Sequence, residues 1–212
     1  MLEMLKVKGD AVLPSGHALR MFVNKHLAEA YITKRRFPDA IHLLEEIMAL
    51  SDERLGSSKS RQLDAGWLLA KTYLDYGQPE KAAELFCHLV EAWKEICALG
   101  DLNLLGCKWE LAQAYRANGQ TNKAVQELEE LAEAEEELHP KHTIRRLKVE
   151  RALGQAYLEN GQWTEAVDAL EWAAATSAEA NDPCLADVYE ELSIAYEASG
   201  RLYEAVCVDL FR

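Results

Sequence analysis

Residues 111–128 read LAQAYRANGQTNKAVQEL and contain the pattern that decides the fold. Leu111 and Tyr115 are four residues apart and fall on one face of a helix, and the alanine after Leu111 lets a neighbouring helix come close. Gly119 follows at the place where a helix ends in a left-handed residue. A second helix is expected to begin immediately after this turn, and its first small apolar residue is Ala124. Because the turn is short, the two helices are expected to be antiparallel neighbours.

The same pattern occurs five times along the chain. Tyrosine follows leucine by four residues, and alanine follows tyrosine by nine. The five sets are Leu27, Tyr31 and Ala40; Leu69, Tyr73 and Ala82; Leu111, Tyr115 and Ala124; Leu153, Tyr157 and Ala166; and Leu192, Tyr196 and Ala205. Successive tyrosines are 42, 42, 42 and 39 residues apart, and the turn glycine is present in every copy except the first, which has Arg35. Because one helix pair cannot bury its apolar face alone, pairs at a fixed period are expected to stack.

This pattern resembles the tetratricopeptide repeat, and the resemblance covers nearly the whole chain. The period is longer than the usual repeat of about 34 residues and is similar to the variant found in kinesin light chains and in sensor arrays of some signalling NTPases. His139-Pro140 and Asp182-Pro183 are similar to the HP-type starts of that variant. The resemblance implies an all-α, right-handed α-solenoid of about five helix-turn-helix repeats.

The repeats divide the whole chain. We expect repeat 1 at 13–55, repeat 2 at 56–99, repeat 3 at 100–138, repeat 4 at 139–181 and a truncated repeat 5 at 182–212. Residues 1–12 read as the remainder of a preceding second helix. Solenoids normally carry polar capping repeats, and neither end has that pattern. The sequence is therefore interpreted as part of a longer array.

Composition excludes several classes of protein. Apolar residues make up 49% of the 212 residues and charged residues 28%, the balance of a folded protein. No apolar run reaches the roughly 18 residues that a membrane span needs. The net charge of −13 argues against a nucleic-acid partner, because phosphate contacts need clustered lysine and arginine. The five cysteines form no CxxC pair, and so we expect free thiols and a cytoplasmic location.

No sequence motif of a catalytic or phosphate-binding site is present. The chain has no GxxxxGK, GxGxxG, HExxH or GxSxG. His139 and His142 are three residues apart, but Pro140 lies between them, which favours a capping or surface role over a metal site. We therefore expect no enzymatic activity, no cofactor and no metal ion.

The first helices are the candidate binding surface. In the proteins that this chain resembles, first helices line the inner groove. The resemblance therefore implies seven groove residues, which are Lys25, Trp67, Lys71, Trp109, Gln113, Arg116 and Arg151. Lys148 is one turn before Arg151 and is added as an eighth because it falls on the same side of the helix. Trp67 and Trp109 occupy equivalent positions in neighbouring repeats and are expected to lie side by side, and tryptophan and arginine are common anchors of interfaces. The alternative, that both tryptophans are buried between first helices, remains open here.

Charge is distributed unevenly. Residues 1–100 carry 13 basic and 14 acidic side chains, whereas residues 101–212 carry 10 and 22. The glutamate run at 129–137 is expected to form a solvated face, or else a docking strip for a basic partner. A basic cluster follows the run, formed by Lys141, Arg145, Arg146, Lys148 and Arg151. It can neutralise the glutamates or form a pocket for an acidic or C-terminal carboxylate group.

Two functions follow from these observations. The first is a non-catalytic scaffold that binds a peptide or helix of a protein partner, of acidic and partly apolar character, in the concave groove. The second is a regulatory or sensor array of a larger signalling NTPase that acts by intramolecular packing or self-association. Neither function involves nucleic acid or a membrane.

Overall fold

The helices of this chain separate into two compact units, Met1–Cys97 and Ala98–Arg212. The computed structural model describes residues 1–14, 17–49, 59–97, 100–138, 143–180 and 182–210, and every regular element in these ranges is an α-helix. The first unit contains α1 (Leu2–Val12), α2 (Ala18–Thr33), α3 (Phe37–Ala49), α4 (Lys59–Asp75) and α5 (Pro79–Lys94). The second contains α6 (Leu102–Ala117), α7 (Thr121–Leu138), α8 (Ile144–Asn160), α9 (Trp163–Ala180), α10 (Leu185–Ala198) and α11 (Leu202–Asp209). The predicted all-α class is confirmed.

Within each unit, a helix packs mainly on the helices before and after it in the sequence. After α1, the helices form the pairs α2–α3 and α4–α5 in the first unit, and α6–α7, α8–α9 and α10–α11 in the second. Each pair carries one copy of the sequence pattern, with the tyrosine near the end of its first helix. These pairs are the predicted helix-turn-helix repeats.

The turn inside each pair contains one residue with a left-handed backbone. In four pairs it is a glycine: Gly77 (φ 78°), Gly119 (70°), Gly161 (77°) and Gly200 (81°). In α2–α3 it is Arg35, with a φ of 55°. The N–H of the next residue then donates to the carbonyl oxygen of the repeat tyrosine at 2.8–2.9 Å. This bond joins residues five apart in the sequence and is the 6→1 hydrogen bond of a Schellman motif. It provides a donor for a carbonyl group at the end of the helix. The predicted turn at Gly119 is confirmed.

Small residues allow the paired helices to approach closely. Ala28, Ala70 and Ala112 are completely buried at the position after the repeat leucine. Repeat 4 has Gly154 there, and a Cβ on it would lie only 2.6 Å from Cγ of Leu170 on α9. This contact explains why the first helix needs a small residue at that point.

Four of the repeat tyrosines link their own helix to the helix before it within the same unit. Their hydroxyls donate to glutamates: Tyr31 to Glu3 at 2.8 Å, Tyr73 to Glu45 at 2.6 Å, Tyr157 to Glu129 at 2.7 Å and Tyr196 to Glu171 at 2.6 Å. Burial, together with the bond to the neighbouring carboxylate, raises the pKa of Tyr73 and of Tyr196 to about 12. The same causes raise the pKa of Tyr157.

The glutamate run of α7 is not a uniformly solvated face. Glu135 is completely buried and forms an ion pair with Arg145 of α8. Glu129 accepts the hydroxyl proton of Tyr157. The expectation of a solvated strip is therefore wrong for Glu135, because the next helix begins beside it and supplies the arginine.

Candidate functional site

An arginine network runs across the first helices of the second unit. Arg116 on α6 holds Glu159 of α8 in a bidentate pair, with Nε–Oε2 at 2.9 Å and Nη2–Oε1 at 2.6 Å. The same guanidinium donates from Nη1 to Oε1 of Gln155 at 3.1 Å and to Oε1 of Gln113 at 3.3 Å. Two predicted groove residues, Gln113 and Arg116, therefore lie together on this face.

Gln155 connects this pair to a second pair. Arg151 on α8 donates to Glu191 on α10, with Nε–Oε2 at 2.9 Å and Nη2–Oε1 at 2.6 Å. Nε2 of Gln155 donates to the same Glu191 oxygen at 2.6 Å. The bond to Glu191 raises the pKa of Arg151 above its ordinary value, and so the guanidinium stays charged. We define the arginine network as Gln113, Arg116, Arg151, Gln155, Glu159 and Glu191.

Both arginines of the network already have carboxylate partners within the chain. An acidic ligand that sought Arg116 or Arg151 would have to compete with Glu159 or Glu191, which are held bidentately. The network is therefore an ordered, nearly neutral polar surface rather than a concentrated positive patch.

A pocket of about 200 Å³ has Trp109 and Lys148 in its lining, which lie one helical turn before Gln113 and Arg151 of the network. Its lining comes from α6, α7 and α8: Leu105, Gly106, Trp109, Leu131, Arg145, Lys148 and Val149. Trp109 is half-buried and packs against the apolar core. Lys148 is exposed and makes no ion pair within the described part of the chain. The structure thus brings Trp109 and Lys148 to one pocket that combines an apolar wall with an available cation.

Gly106 lines this pocket. It lies in the second turn of α6, and glycine within a helix costs about 0.5–1 kcal/mol relative to alanine. A Cβ on Gly106 would meet no atom within 4 Å. Packing therefore does not require a glycine here, whereas it does at Gly154.

The first unit holds the other three predicted groove residues. Trp67 and Lys71 are one turn apart on α4, and Nζ of Lys71 lies 5.3 Å from the centroid of the Trp67 ring, within cation–π range. Lys25 is half-buried on α2. The expectation that Trp67 and Trp109 lie side by side concerns two different units, and it stays a prediction.

The described residues of the basic cluster have two different roles. Arg145 pairs with Glu135, and Arg146 lies 3.3 Å from Glu136 and 4.7 Å from the centroid of the Trp172 ring. These two arginines neutralise part of the glutamate run, as one of the two interpretations predicted. Lys148 instead lines the pocket, and Arg151 belongs to the arginine network. Lys141 and the His139, Pro140 and His142 positions lie outside the described residues.

Sequence reasoning missed the acidic half of the network. Glu159 and Glu191 were not among the predicted site residues, although each lies about one repeat length after the arginine that it binds. Opposite charges at that spacing on first helices were the available signal. Among the described residues, no group of histidine, cysteine and carboxylate side chains is placed to hold a metal ion, and no helix has the length and apolar content needed to cross a bilayer.

Comparisons with known proteins agree with this geometry. The sequence model of the tetratricopeptide repeat matches residues 107–134. One similar solved structure contains the nearly identical TPR-like repeats of a Podosopora anserina protein described as a kinesin light chain. Its sequence identity to this chain is 31% and the TM-score is 0.78, and the match covers 91% of this chain and 92% of that one. A search of curated protein sequences gave no match.

More distant solved structures share the fold. BtubC (BKLC) from P. vanneervenii has a TM-score of 0.77 at 19% identity and covers 98% of this chain and 83% of that one. The apo form of RapI has a TM-score of 0.80 at 12% identity, and the match covers 98% of this chain but 56% of RapI. The fold and its repeats define an α-helical tetratricopeptide repeat protein, a class that generally mediates protein–protein interaction. Within that class, the chain belongs to the family of kinesin-light-chain-like tetratricopeptide repeats.

Proposed function

We propose that this chain is a non-catalytic scaffold that binds a peptide or helix of a protein partner on its first-helix face. The observation that carries the proposal is the pocket beside Trp109, which opens next to the ordered arginine network. The free thiols of all five cysteines support action in the cytoplasm.

The pocket explains what kind of segment would bind. Its wall is formed by Leu105, Leu131, Val149 and the Trp109 ring, and it accepts an apolar side chain. Lys148 at its rim then favours a carboxylate next to that side chain. An acidic, partly apolar segment therefore fits the pocket better than a basic one.

The network contributes order rather than charge. Its side chains are already fixed by mutual hydrogen bonds, and so the entropy cost of ordering them on binding is small. A solenoid of similar fold, a Rap protein, was solved in complex with Competence and Sporulation Factor, with a TM-score of 0.61 at 15% identity. That complex supports a tetratricopeptide stack as a surface for a partner.

The test uses the whole chain and a library of immobilised peptides, each with one large apolar side chain and flanking carboxylates. Trp109→Ala should weaken binding by about 2 kcal/mol, roughly thirtyfold, if Trp109 is an anchor of the interface. Lys148→Glu should weaken binding with no change in melting temperature, since its side chain is exposed. Lys34→Glu makes the same charge change on an exposed residue far along the chain, and it should leave affinity intact.

One result would overturn this proposal. If Trp109→Ala lowers the melting temperature strongly while Lys148→Glu leaves affinity unchanged, the tryptophan is a core residue and the binding face lies elsewhere. Binding should also weaken as salt is added, because the attraction involves an exposed charge.

The second candidate function, a regulatory array that self-associates, is favoured by a separate observation. Large apolar side chains are exposed on α1, α2 and α11. A signalling array would use such faces for packing within a larger protein or between copies. Whether the gene encodes an adjoining NTPase module distinguishes this role from an independent scaffold.

A further inference from the structure

The pocket lined by Trp109 has the volume of one bulky side chain. We call it the Trp109 pocket, and it measures about 200 Å³. A protein cavity of about 150 Å³ already holds a benzene molecule. The Trp109 pocket therefore has room for a side chain as large as that of leucine or phenylalanine. Its usable size depends on the side chains that α6, α7 and α8 contribute to the lining.

Gly106 contributes only backbone to this lining. A Cβ on Gly106 would meet no atom within 4 Å, and so the space beside its backbone is open. In contrast, a Cβ on Gly66 would lie 2.9 Å from the Leu89 side chain, and one on Gly154 would lie 2.6 Å from that of Leu170. Helix packing accounts for those two glycines, and it does not account for Gly106.

The repeat register indicates where a side chain at position 106 would point. Gly106 is five residues before the repeat leucine of its own copy. The residues at this position in the other four copies are Phe22, Asp64, Lys148 and Asp187. All four are exposed, and Lys148 itself lines the Trp109 pocket. A side chain at 106 would therefore project from the surface of α6 at the pocket and not into the core.

Trp109 is the neighbour that such a side chain would meet in the pocket. Gly106 and Trp109 are three residues apart on α6, and long side chains of a helix lean over the turn that precedes them. The Trp109 ring and the bare backbone of Gly106 are therefore adjoining parts of one wall. Glycine also makes a helix less stable than alanine does. Neither packing nor helix stability explains glycine at this position, whereas a function of the pocket does.

We propose that Gly106 determines the size of the apolar side chain that the Trp109 pocket accepts. With no side chain at 106, the pocket accepts leucine or phenylalanine. A side chain at 106 would restrict it to smaller residues such as alanine or valine. This inference rests on the proposed function, because it specifies which side chain of the bound segment enters the pocket. Trp109 supplies contact area to that side chain, and Gly106 sets its upper size.

Four peptides measure this specificity. They share one carrier of aspartate and serine residues and differ only in a central apolar residue, which is alanine, valine, leucine or phenylalanine. Isothermal titration calorimetry with the whole chain gives the four affinities. The unmodified chain should bind the leucine and phenylalanine peptides most tightly, because they fill the pocket.

Gly106→Val is the main variant, because valine holds its two methyl groups close to the helix in one preferred rotamer. A single methylene in an apolar pocket changes affinity by about tenfold or more. The phenylalanine peptide should therefore bind this variant about tenfold more weakly or worse, whereas the alanine peptide should keep its affinity. Gly106→Ala should shift the preference in the same direction by a smaller factor. Ala175→Val is the matched control, since Ala175 is exposed on α9 outside the pocket lining, and it should change none of the four affinities.

The outcomes separate this inference from the proposed function. If the unmodified chain binds the larger peptides and Gly106→Val preserves their order of affinity, the inference is wrong and the scaffold stands. An equal loss for all four peptides also contradicts the inference, because it indicates a general disturbance of the site. If the unmodified chain binds none of the four peptides, the proposed peptide binding at this pocket fails, and the inference fails with it.

A folding control keeps the test valid for either variant. Circular dichroism should show that Gly106→Val keeps its helices. If it does not, Gly106→Ala decides the question, since alanine favours the helix. The ratio of the phenylalanine to the alanine affinity should be lower in Gly106→Ala than in the unmodified chain, and an unchanged ratio would overturn the inference.

Discussion

Arg35 occupies a turn position that four other repeats give to glycine. Its φ of 55° lies in the left-handed region, where a residue with a Cβ is strained by about 1 kcal/mol or more. Glycine relieves this strain at some cost in chain entropy. We expect Arg35→Gly to raise the free energy of unfolding by roughly 0.5–1 kcal/mol, measured by urea denaturation.

The neighbouring residue provides the control. Lys34 has φ −90° and ψ 8°, an ordinary backbone that gains nothing from glycine, and so Lys34→Gly should lower stability. Gly161→Val should lower it by about 1 kcal/mol or more, since Gly161 has a φ of 77°. Equal effects of the two glycine substitutions would show that the left-handed turn carries no strain.

The tyrosine–glutamate bonds predict a loss of stability in alkali. An unfolded tyrosine titrates near pH 10, whereas the pKa of folded Tyr73 and Tyr196 is raised to about 12. Between these values the folded chain retains protons that the unfolded chain has lost, and so the free energy of unfolding falls as pH rises from about 10 to 12.

Tyr73→Phe isolates the contribution of one such bond. The variant has no hydroxyl to ionise, and its stability should fall less steeply over the same pH range than that of the unmodified chain. Urea denaturation at several pH values gives both slopes. Identical slopes would mean that Tyr73 ionises alike in the folded and unfolded states.

For single residues, the sequence predicts the backbone conformation better than it predicts which side chains bind each other. The turn glycines and the buried alanines follow from residue type, because few residues tolerate a left-handed backbone or a close helix approach. Arg35 could be placed only by its register, since nothing in arginine favours that conformation. The choice of Glu159 and Glu191 as partners depends on which rotamers reach across neighbouring helices, and residue type does not determine that.

Two glycines within helices are expected to respond in opposite ways to the same substitution. Gly154→Ala would place Cβ 2.6 Å from Cγ of Leu170, and overpacking of this kind costs about 1–3 kcal/mol. The better helix propensity of alanine offsets up to about 1 kcal/mol of it. At Gly106, where Cβ meets nothing within 4 Å, the same change should stabilise α6 by about 0.5–1 kcal/mol.

Thermal melting of the two alanine variants checks the sign of each effect. In a Leu170→Ala background the clash is gone, and there Gly154→Ala should become stabilising. A destabilising effect that persists in that background would mean that the helix contact is not the reason for the glycine. Gly106→Leu should additionally fill the Trp109 pocket and reduce peptide binding without loss of stability.

The existence and order of the helices follow from the sequence at the scale of elements. A short turn forces each pair to be antiparallel, and the apolar stripe fixes which faces meet. Burial of Glu135 did not follow, because its ion pair depends on where α8 begins relative to the end of α7. A run of like charges on one helix carries no information about that distance.

For the whole molecule, the family and the repeat architecture could be predicted because the pattern recurs in register. The sequence could not predict which residues share one concave surface, because Trp67 and Trp109 belong to separate compact units. The acidic character of a partner likewise depends on which cations remain unpaired. The structure leaves Lys148 available and engages Arg116 and Arg151, which the count of basic residues alone did not indicate.

Hydrogen exchange measures how the local stability varies along the chain. In a stack with only neighbour contacts, a terminal helix is held by one neighbour and opens most easily. We therefore expect the fastest amide exchange in residues 1–12 and 200–210 of the dilute chain, measured by mass spectrometry. Slow exchange at both ends of a demonstrated monomer would contradict this account, because it would show that α1 and α11 are stable without a further neighbour.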